Sequence, residues 1–545
     1  MVSTKKIGLI GIIVVLYLGL LSFSVQNLFQ ADEVEFIKAS KSILETGKPI
    51  YQADLINNNF QGLWHPPLYI TILAIPQYFF GENPIALRSV AIIFEVLTII
   101  LIFLITSELV KKRKLFWATI ASLLYILNPL AIQSSIILDI DGSILNLFMT
   151  LFVYFYIKNK NYWYLIPSLL LVFWSKFSGT VILCSSVVLY AILTKNLKKF
   201  KQIIIVILSS LFLFLLTFWI YTKYYNLDFI KPFKQNSLLS SLINITSGSF
   251  TNISKSFWSV KMFFYFAIPF FIVLFLYLLY LFIKNRIYKT DKNLILIALI
   301  PIISIIIFFI AGSSTWNFPK YYIIAIPYIA IFIAFMLSKI EIKLEKAYLL
   351  LIASLLTIFY FFIILGDPLI PEVRIFANKQ YLMMAIPKIL MRFLLYVLIP
   401  LIIFYLITIK LKIKNKAMII LLFLTFTTFF YIDITQATAD YSTHNLYGTS
   451  GSKETIQYFK TNQILSNQTA VYAHLGYYLG YNDYYDISQI YPDKEKVKKY
   501  LFEEKNIQYI AILEKDFDRI GKEELSQYYK EEKVIGDYHI LKRIN

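Results

Sequence analysis

Long apolar runs dominate this sequence, and they restrict its fold more than any other feature. About thirteen of them are long enough to cross a bilayer as helices, which takes about twenty residues. They lie at 7–29, 84–107, 115–135, 139–157, 162–176, 177–194, 202–222, 259–283, 293–311, 319–338, 347–365, 387–409 and 417–432. Only 16% of the 545 residues are charged, against about 25% in soluble domains. The sequence therefore predicts an all-α polytopic membrane protein.

Basic clusters occupy alternate gaps between these runs, at 5–6, 111–114, 158–160, 195–201, 284–289, 339–346 and 410–416. Because lysine and arginine accumulate in cytoplasmic loops, the alternation predicts a cytoplasmic N-terminus and an extracytoplasmic C-terminus in the plasma membrane. It also accounts for the formal net charge of +19 without nucleic acid as a partner. No signal-peptidase site follows the first run, which is expected to stay as the first span. The single cysteine, Cys184, excludes an intrachain disulfide.

The long polar segments then fall on the extracytoplasmic side, at 30–67, 223–258, 366–386 and from 433 onward. Three glycosylation sequons, at Asn244, Asn252 and Asn467, share that side. Within the first segment, apolar residues at helical spacing over 34–46 precede Gly47 and predict a helix lying in the interface. The run 68–80 is too short to cross and predicts a second interfacial or re-entrant helix.

The tail changes character and predicts a small extracytoplasmic α/β domain. We expect helices over 453–460 and 493–506, extended segments over 469–474 and 507–513, and one final strand over 533–543. The chain is thus divided into a transmembrane domain, 1–432, and an outer domain, 433–545. Tyrosines of the tail could stack on sugars or simply pack the domain.

Charged residues mark the predicted outer ends of several spans. A vicinal acid pair, Asp32-Glu33, ends the first span, and such acids at a bilayer edge are costly. The others are Arg88, Asp139, Asp141, Lys176 and Lys320, the last followed by Tyr321. Carboxylates near cations suit transfer from a lipid-linked phosphate: a carboxylate deprotonates the acceptor hydroxyl, and cations neutralise the departing phosphate.

Each of these residues also has a structural explanation. The aspartates could cap a helix N-terminus, the basic side chains could extend to the lipid headgroups, and Tyr321 could anchor the interface. His65, before Pro66-Pro67, could be an ordinary interfacial histidine. Glu95 lies in the middle of a span, where the sequence shows no partner, and we assign it no role.

The order of these motifs resembles the protein O-mannosyltransferase superfamily, which includes the lipid A aminoarabinose transferases. The resemblance covers roughly residues 1–340 and is most specific over the first hundred. It rests on Asp32-Glu33, on His65-Pro66-Pro67-Leu68, on Gly81 through Arg88-Ser89, and on the later Asn128-Pro129, Asp139, Lys176 and Lys320-Tyr321-Tyr322 with Pro327.

The resemblance implies a GT-C fold, a polyprenyl-phosphate sugar donor and inversion at the anomeric carbon. Asp32 then matches the catalytic base and Glu33 the neighbour that positions it. His65, Arg88, Asp139, Lys176, Lys320 and Tyr321 match substrate-binding positions. His65 replaces the lysine usual in aminoarabinose transferases, which puts that substrate in doubt. Lys320 replaces the arginine of many members, which exchanges a planar fork for a point charge. A Trp-Trp-Asp-Tyr-Gly motif and a β-trefoil insertion are both missing from the sequence.

The sequence leaves the sugar open, as well as the acceptor, which is a protein, a lipid or a glycan. The acid pair leaves a divalent metal open, although no further ligand spacing supports one. Two other classes compete with an enzyme: a transporter or flippase for lipid-linked sugars, and a non-catalytic membrane scaffold. A transporter would be expected to have internal repeats and charged residues deep within several spans, and the sequence shows neither clearly.

Overall fold

The structure, a computed structural model, describes two parts of the chain, 4–340 and 451–544. Within them it leaves out positions 23–24, 27, 30, 53, 57–59, 62–64, 231–232, 234–259, 261–262, 265–266, 268, 312–318, 492 and 504–505. The predicted spans at 347–365, 387–409 and 417–432, the sequons at Asn244 and Asn252 and the domain boundary near 433 lie outside the described residues.

The first part is a bundle of helices. They are α1 (Thr4–Leu21), α2 (Ala31–Thr46), α3 (Leu68–Phe80), α4 (Pro84–Leu109), α5 (Lys114–Ile126), α6 (Pro129–Ile136), α7 (Ser143–Ile157), α8 (Tyr162–Ser175), α9 (Phe177–Leu193), α10 (Leu197–Tyr224), α11 (Pro269–Lys284), α12 (Asn293–Ala311) and α13 (Ile326–Lys339). A 3₁₀ segment, Pro319–Ala325, leads into α13. Each of the ten predicted spans in this part overlaps a described helix, although the first ends at Leu21, before its predicted end at 29.

Five helical segments among the described residues are long and apolar enough to cross a bilayer: α1, α4, α10, α12 and the stretch from Lys320 to Lys339. Their buried faces meet in one large apolar core, in which Phe103, Phe152 and Phe332 are inaccessible to solvent. Helix α13 is buried on every side, as expected for a helix that is apolar all round. The prediction of an all-α membrane bundle is confirmed.

Two predicted spans are interrupted near one end of the bundle. Residues 115–135 form α5 and α6, which meet at 65°. Asn128 causes the break: it precedes Pro129, adopts an extended backbone, and its side chain caps the Leu130 amide at 3.0 Å. The span predicted from 139 begins only at Ser143, because residues 137–142 form a turn.

The helices predicted at the interface, α2 and α3, pack against each other under a small apolar cluster that includes Phe36, Tyr69 and Leu73. Helix α2 starts at Ala31, three residues earlier than expected, and ends before Gly47, whose φ of +73° only glycine adopts readily. A short antiparallel ribbon, β1 (Ile50–Tyr51) with β2 (Phe60–Gln61), follows α2.

The second part is an α/β domain with its own core. Its strands are β3 (Thr469–Val471), β4 (Tyr485–Asp486), β5 (Tyr509–Leu513), β6 (Tyr529–Ile535) and β7 (Tyr538–Arg543), in the order β4-β3-β5-β7-β6. The first three are parallel, and β7 is antiparallel to both neighbours. Its helices are α14 (Ser452–Thr461), α15 (Ala473–Leu479), α16 (Ile487–Ile490), α17 (Lys494–Lys496), α18 (Glu514–Ile520) and α19 (Lys522–Ser526), and Val497–Glu503 is a π-helical segment.

Three details of the predicted tail were wrong. The last strand is a hairpin, because Gly536 at φ +59° and Asp537 turn the chain between β6 and β7. The extended segment at 469–474 ends at Val471, where α15 follows after one residue. The helix predicted over 493–506 is divided between α17 and the π-helical segment.

Candidate active site

Three interruptions of the helical bundle bring the predicted site residues together. The turn between α6 and α7 carries Asp139 and Asp141. A single extended residue, Lys176, separates α8 from α9, with φ −162° and ψ 136°. Lys320 lies in the 3₁₀ segment before α13. All four charged side chains are at most 8% exposed, so the bundle places them together away from solvent.

The four side chains form one ion-pair cluster. Lys320 Nζ lies 2.6 Å from Asp139 Oδ2 and 3.8 Å from Asp141 Oδ2. Lys176 Nζ pairs with Asp141 Oδ1. Asp139 Oδ1 also accepts a hydrogen bond from the Asp141 amide at 3.0 Å. Two carboxylates therefore balance two ammonium groups, the condition under which buried charge is tolerated. Asp141 belongs to the cluster as fully as Asp139.

Tyr321 lies against both lysines of the cluster. The Nζ atoms of Lys176 and Lys320 are 4.8 and 5.7 Å from the centroid of its ring. These distances are in the range of cation–π attraction.

His65 faces the same cluster. Its Nδ1 is buried and has no hydrogen-bond partner among the described residues. Burial, and then the charges of Lys176 and Lys320, hold the pKa of His65 well below its usual value. The imidazole is therefore neutral and can make a hydrogen bond without adding charge.

Arg88 and Glu33 form a separate buried pair. Arg88 Nε and Nη2 donate to the two Glu33 carboxylate oxygens at 3.0 and 2.9 Å. The guanidinium also donates to the carbonyls of Val25 and Leu28. Glu33 Oε1 accepts a further bond from the Leu138 amide at 2.9 Å, next to Asp139. The pair ties the start of α2 to the turn of the ion-pair cluster.

This geometry bears on the predicted roles of Arg88 and Glu33. Asp32 immediately precedes Glu33 in the first turn of α2, so the pair fixes the backbone that carries Asp32. The hydrogen bonds of Arg88 go to Glu33 and to main-chain carbonyls, which suits positioning. Its predicted contact with a donor phosphate, and the catalytic role of Asp32, stay predictions.

The C-terminal domain reaches the same region. Tyr478 Oη accepts a hydrogen bond from the Phe29 amide at 2.7 Å. The Phe29 ring lies 6.2 Å from the ring of Tyr477 and 6.4 Å from that of Tyr478, and the Arg88 guanidinium lies 5.2 Å from the Phe29 centroid. These two tyrosines pack the domain onto the segment that precedes Asp32.

The described carboxylates near the acid pair all have partners within the chain. Both Glu33 oxygens are occupied by Arg88 and the Leu138 amide, and the aspartates of the cluster are neutralised by lysines. No group of three or more His, Cys, Asp or Glu side chains in the described part of the chain could hold a metal ion.

One polar site was missed from the sequence. Glu95 of α4 is inaccessible to solvent and makes hydrogen bonds to side chains of three other helices. A lone acid in the middle of an apolar run was the only signal, and its partners are scattered over the next fifty residues.

The comparisons with solved structures bear on the fold. The chain superposes on ArnT from Cupriavidus metallidurans bound to undecaprenyl phosphate with a TM-score of 0.60, at 12% identity, covering 98% of both chains. It superposes on the apo state of the same protein with a TM-score of 0.55, at 12% identity and 99% coverage of both chains. The archaeal oligosaccharyltransferase AglB from Archaeoglobus fulgidus, in complex with an inhibitory peptide and a dolichol-phosphate, gives 0.52 at 12% identity, covering 98% of this chain and 74% of that one.

No protein-family profile matches the chain, and no curated protein is similar to it in sequence. At these identities the structural likeness establishes the fold alone. The GT-C fold expected from the motif order is confirmed.

Proposed function

We propose that this protein is a membrane glycosyltransferase. It moves a hexosyl or pentosyl group from a polyprenyl-phosphate carrier to a protein, lipid or glycan acceptor. One observation carries the proposal: two buried lysines, two aspartates and a neutral histidine meet at the end of the bundle where α2, with Asp32 in its first turn, packs. Solved structures of the same fold contain undecaprenyl phosphate and dolichol-phosphate.

In the proposed reaction, the acceptor hydroxyl attacks the anomeric carbon of the sugar and transfers its proton to the Asp32 carboxylate. The new bond forms on the face opposite the phosphate, so the configuration inverts. The bond between the anomeric carbon and the phosphate oxygen breaks, and its electron pair stays on the phosphate. Lys176 and Lys320 stabilise this charge.

Three features suit the cluster to this task. An ammonium group carries three donors, so one lysine can bridge a carboxylate and a phosphate. His65 can bond a phosphate or sugar oxygen while remaining neutral. The low exposure of the cluster strengthens its electrostatic interactions relative to water. The isoprenoid chain would lie among the helices, in contact with membrane lipids.

We also propose that this end of the bundle faces the extracytoplasmic side of the plasma membrane. Helix α4 carries Arg88 near its start and Glu108 near its end, where Glu108 pairs with Lys158 of a basic cluster. Its 26 residues span about 39 Å at about 1.5 Å per residue, enough to separate the two faces of a bilayer. Positive clusters mark the cytoplasmic face, which leaves the site and the C-terminal domain on the other.

The proposal is tested with purified protein in lipid discs and radiolabelled polyprenyl-phosphate sugars. Wild-type protein should transfer label, and Asp32→Asn should lower turnover by about 10² or more, with unchanged expression. Glu45→Gln, on the exposed far end of the same helix, is the matched control and should keep full turnover. Transfer by Asp32→Asn at the wild-type rate would remove Asp32 as the base.

A further inference from the structure

Glu95 lies one heptad after Arg88 on α4 and is bonded to three neighbouring helices. Ser134 Oγ of α6 donates to its Oε1 at 2.5 Å, and Asn146 Nδ2 of α7 donates to the same oxygen at 3.1 Å. Tyr125 Oη of α5 donates to Oε2. All four side chains are at most 2% exposed. A carboxylate buried this deeply is costly unless its acceptor sites are filled.

Two of these partners flank the turn that carries Asp139 and Asp141. Ser134 is in α6, just before the turn, and Asn146 is in the first turns of α7, just after it. Glu95 therefore binds the chain on both sides of residues 137–142.

The turn also packs directly on Ser134. A Cβ atom added to Gly142 would lie 2.6 Å from Ser134 Cβ and 3.1 Å from its Cα, so the turn can approach α6 this closely only because residue 142 is glycine. The close contact at Gly142 sets the position of the turn relative to Ser134. The hydrogen bond from Ser134 to Glu95 in turn sets the position of Ser134.

Arg88, near the start of α4, holds the turn at a third point. Glu33, bonded by Arg88, accepts the Leu138 amide at 2.9 Å. One helix thus holds the turn through two charged residues, Arg88 acting through Glu33 and Glu95 acting through Ser134 and Asn146.

We infer that Glu95 is a positioning residue, which sets the Asp139–Asp141 turn at the place where its carboxylates meet Lys176 and Lys320. The effect of Glu95 on substrate binding rests on the proposed function, because it assumes that those lysines bind the carrier phosphate. Displacing the turn would let the lysines move away from the geometry that binds the phosphate.

The test compares Glu95→Ala with Phe103→Ala in the full chain. Phe103 is in the same helix and equally buried, but it makes no hydrogen bond to the turn, so its variant controls for loss of core packing. The probe is undecaprenyl phosphate, titrated by its quenching of tryptophan fluorescence. We expect Glu95→Ala to weaken binding about tenfold or more, and Phe103→Ala to keep wild-type affinity in its folded fraction. Glu95→Gln can still accept from Ser134 and Asn146 and should restore most of the affinity.

A second measurement is independent of any ligand. Lysines are reductively methylated in the folded protein, and Lys176 and Lys320 are followed by peptide mass spectrometry. Both should be protected in the wild type and in Phe103→Ala, and modified in Glu95→Ala. Equal affinity and equal protection in the two alanine variants would overturn the inference. Absence of undecaprenyl phosphate binding in the wild type would count against the proposed function, while the methylation result would still decide the positioning role.

Discussion

At the residue scale, the ion-pair cluster balances two carboxylates against two ammonium groups that come from distant parts of the chain. Asp139, Lys176 and Lys320 could be selected because charged residues at the ends of apolar runs are conspicuous. Their pairing depends on contacts between residues as far apart as 139 and 320, which no local pattern encodes. For the same reason the sequence does not reveal the partners of Glu33. They are Arg88 and Leu138, which lie on two other elements.

Lys320→Met should be strongly destabilising, because it leaves Asp139 buried without its closest cation. Removal of one partner of a buried pair costs about 3–5 kcal/mol. Combining it with Asp139→Asn should recover most of that loss, because both charges are then gone. Unfolding free energies of the two single variants and the double variant in mixed micelles measure this coupling.

Transfer activity separates stability from function in the same variants. If Lys320 stabilises the phosphate as proposed, the double variant should stay inactive although it is stable. A stable and fully active double variant would show that Lys320 only neutralises Asp139.

At the element scale, the two helix breaks near the site differ in how readily they could be predicted. Asn128-Pro129 is a recognisable stop and start signal, although the apolar pattern alone predicts one span over 115–135. At Lys176 the sequence predicts the break between α8 and α9, as the boundary between the runs 162–176 and 177–194, but it does not predict the extended backbone there. There the pairing with Asp141 accompanies the extended backbone, and that contact is visible only in the folded bundle.

Asn128→Ala should lower both stability and transfer. Its side chain caps Leu130 N at 3.0 Å and donates to the Ala267 carbonyl at 3.3 Å, and loss of such a cap costs about 1 kcal/mol. Transfer should fall as well, since α6 leads into the turn that carries Asp139.

Asn196→Ala is the matched control for that change. Asn196 caps α10 by accepting from Lys199 N at 3.0 Å, away from the site. It should cost similar stability, measured by thermal unfolding, with transfer by the folded protein unchanged. Equal transfer by the two variants would contradict a role of the α5–α6 break in placing the turn.

At the scale of the whole molecule, the C-terminal domain meets α2 and the loop after it through a buried acidic cluster. Asp486 is 3% exposed, and its Oδ1 accepts from the amide and hydroxyl of Ser488. Burial, followed by the charge of Asp54, raises the pKa of Asp486 to about 7. Glu35 adds to this, and Lys38 of α2 has its own pKa lowered by burial.

This shift gives the docked domain a defined pH dependence. The folded pKa of Asp486, about 7, lies above the ordinary 3.8, so between these values the folded chain binds more protons than the unfolded chain. The contribution of Asp486 to the free energy of unfolding is therefore largest at low pH. It falls as the pH rises from about 4 to about 7 and stays constant at higher pH. Asp486→Asn should remove the fall, with a gain on the order of 1–4 kcal/mol at about pH 8.

Hydrogen exchange of peptides from 469–513 measures how the stability of the wild type and of Asp486→Asn depends on pH. It is followed in the full chain across this pH range and corrected for the intrinsic exchange rate. A variant with the wild-type slope would show that Asp486 does not titrate as expected. Glu503→Gln, at an exposed position of the same domain, should leave the slope unchanged.

The hydrogen bond from the Phe29 amide to Tyr478 joins residues 449 positions apart. A ribosome that adds about 5–20 residues per second needs roughly 20–90 s to make the intervening chain. During that time the segment ahead of Asp32 is already synthesised, but its tyrosine partner does not yet exist. Biosynthesis therefore delays this contact between the segment ahead of Asp32 and the C-terminal domain until Tyr478 has been translated.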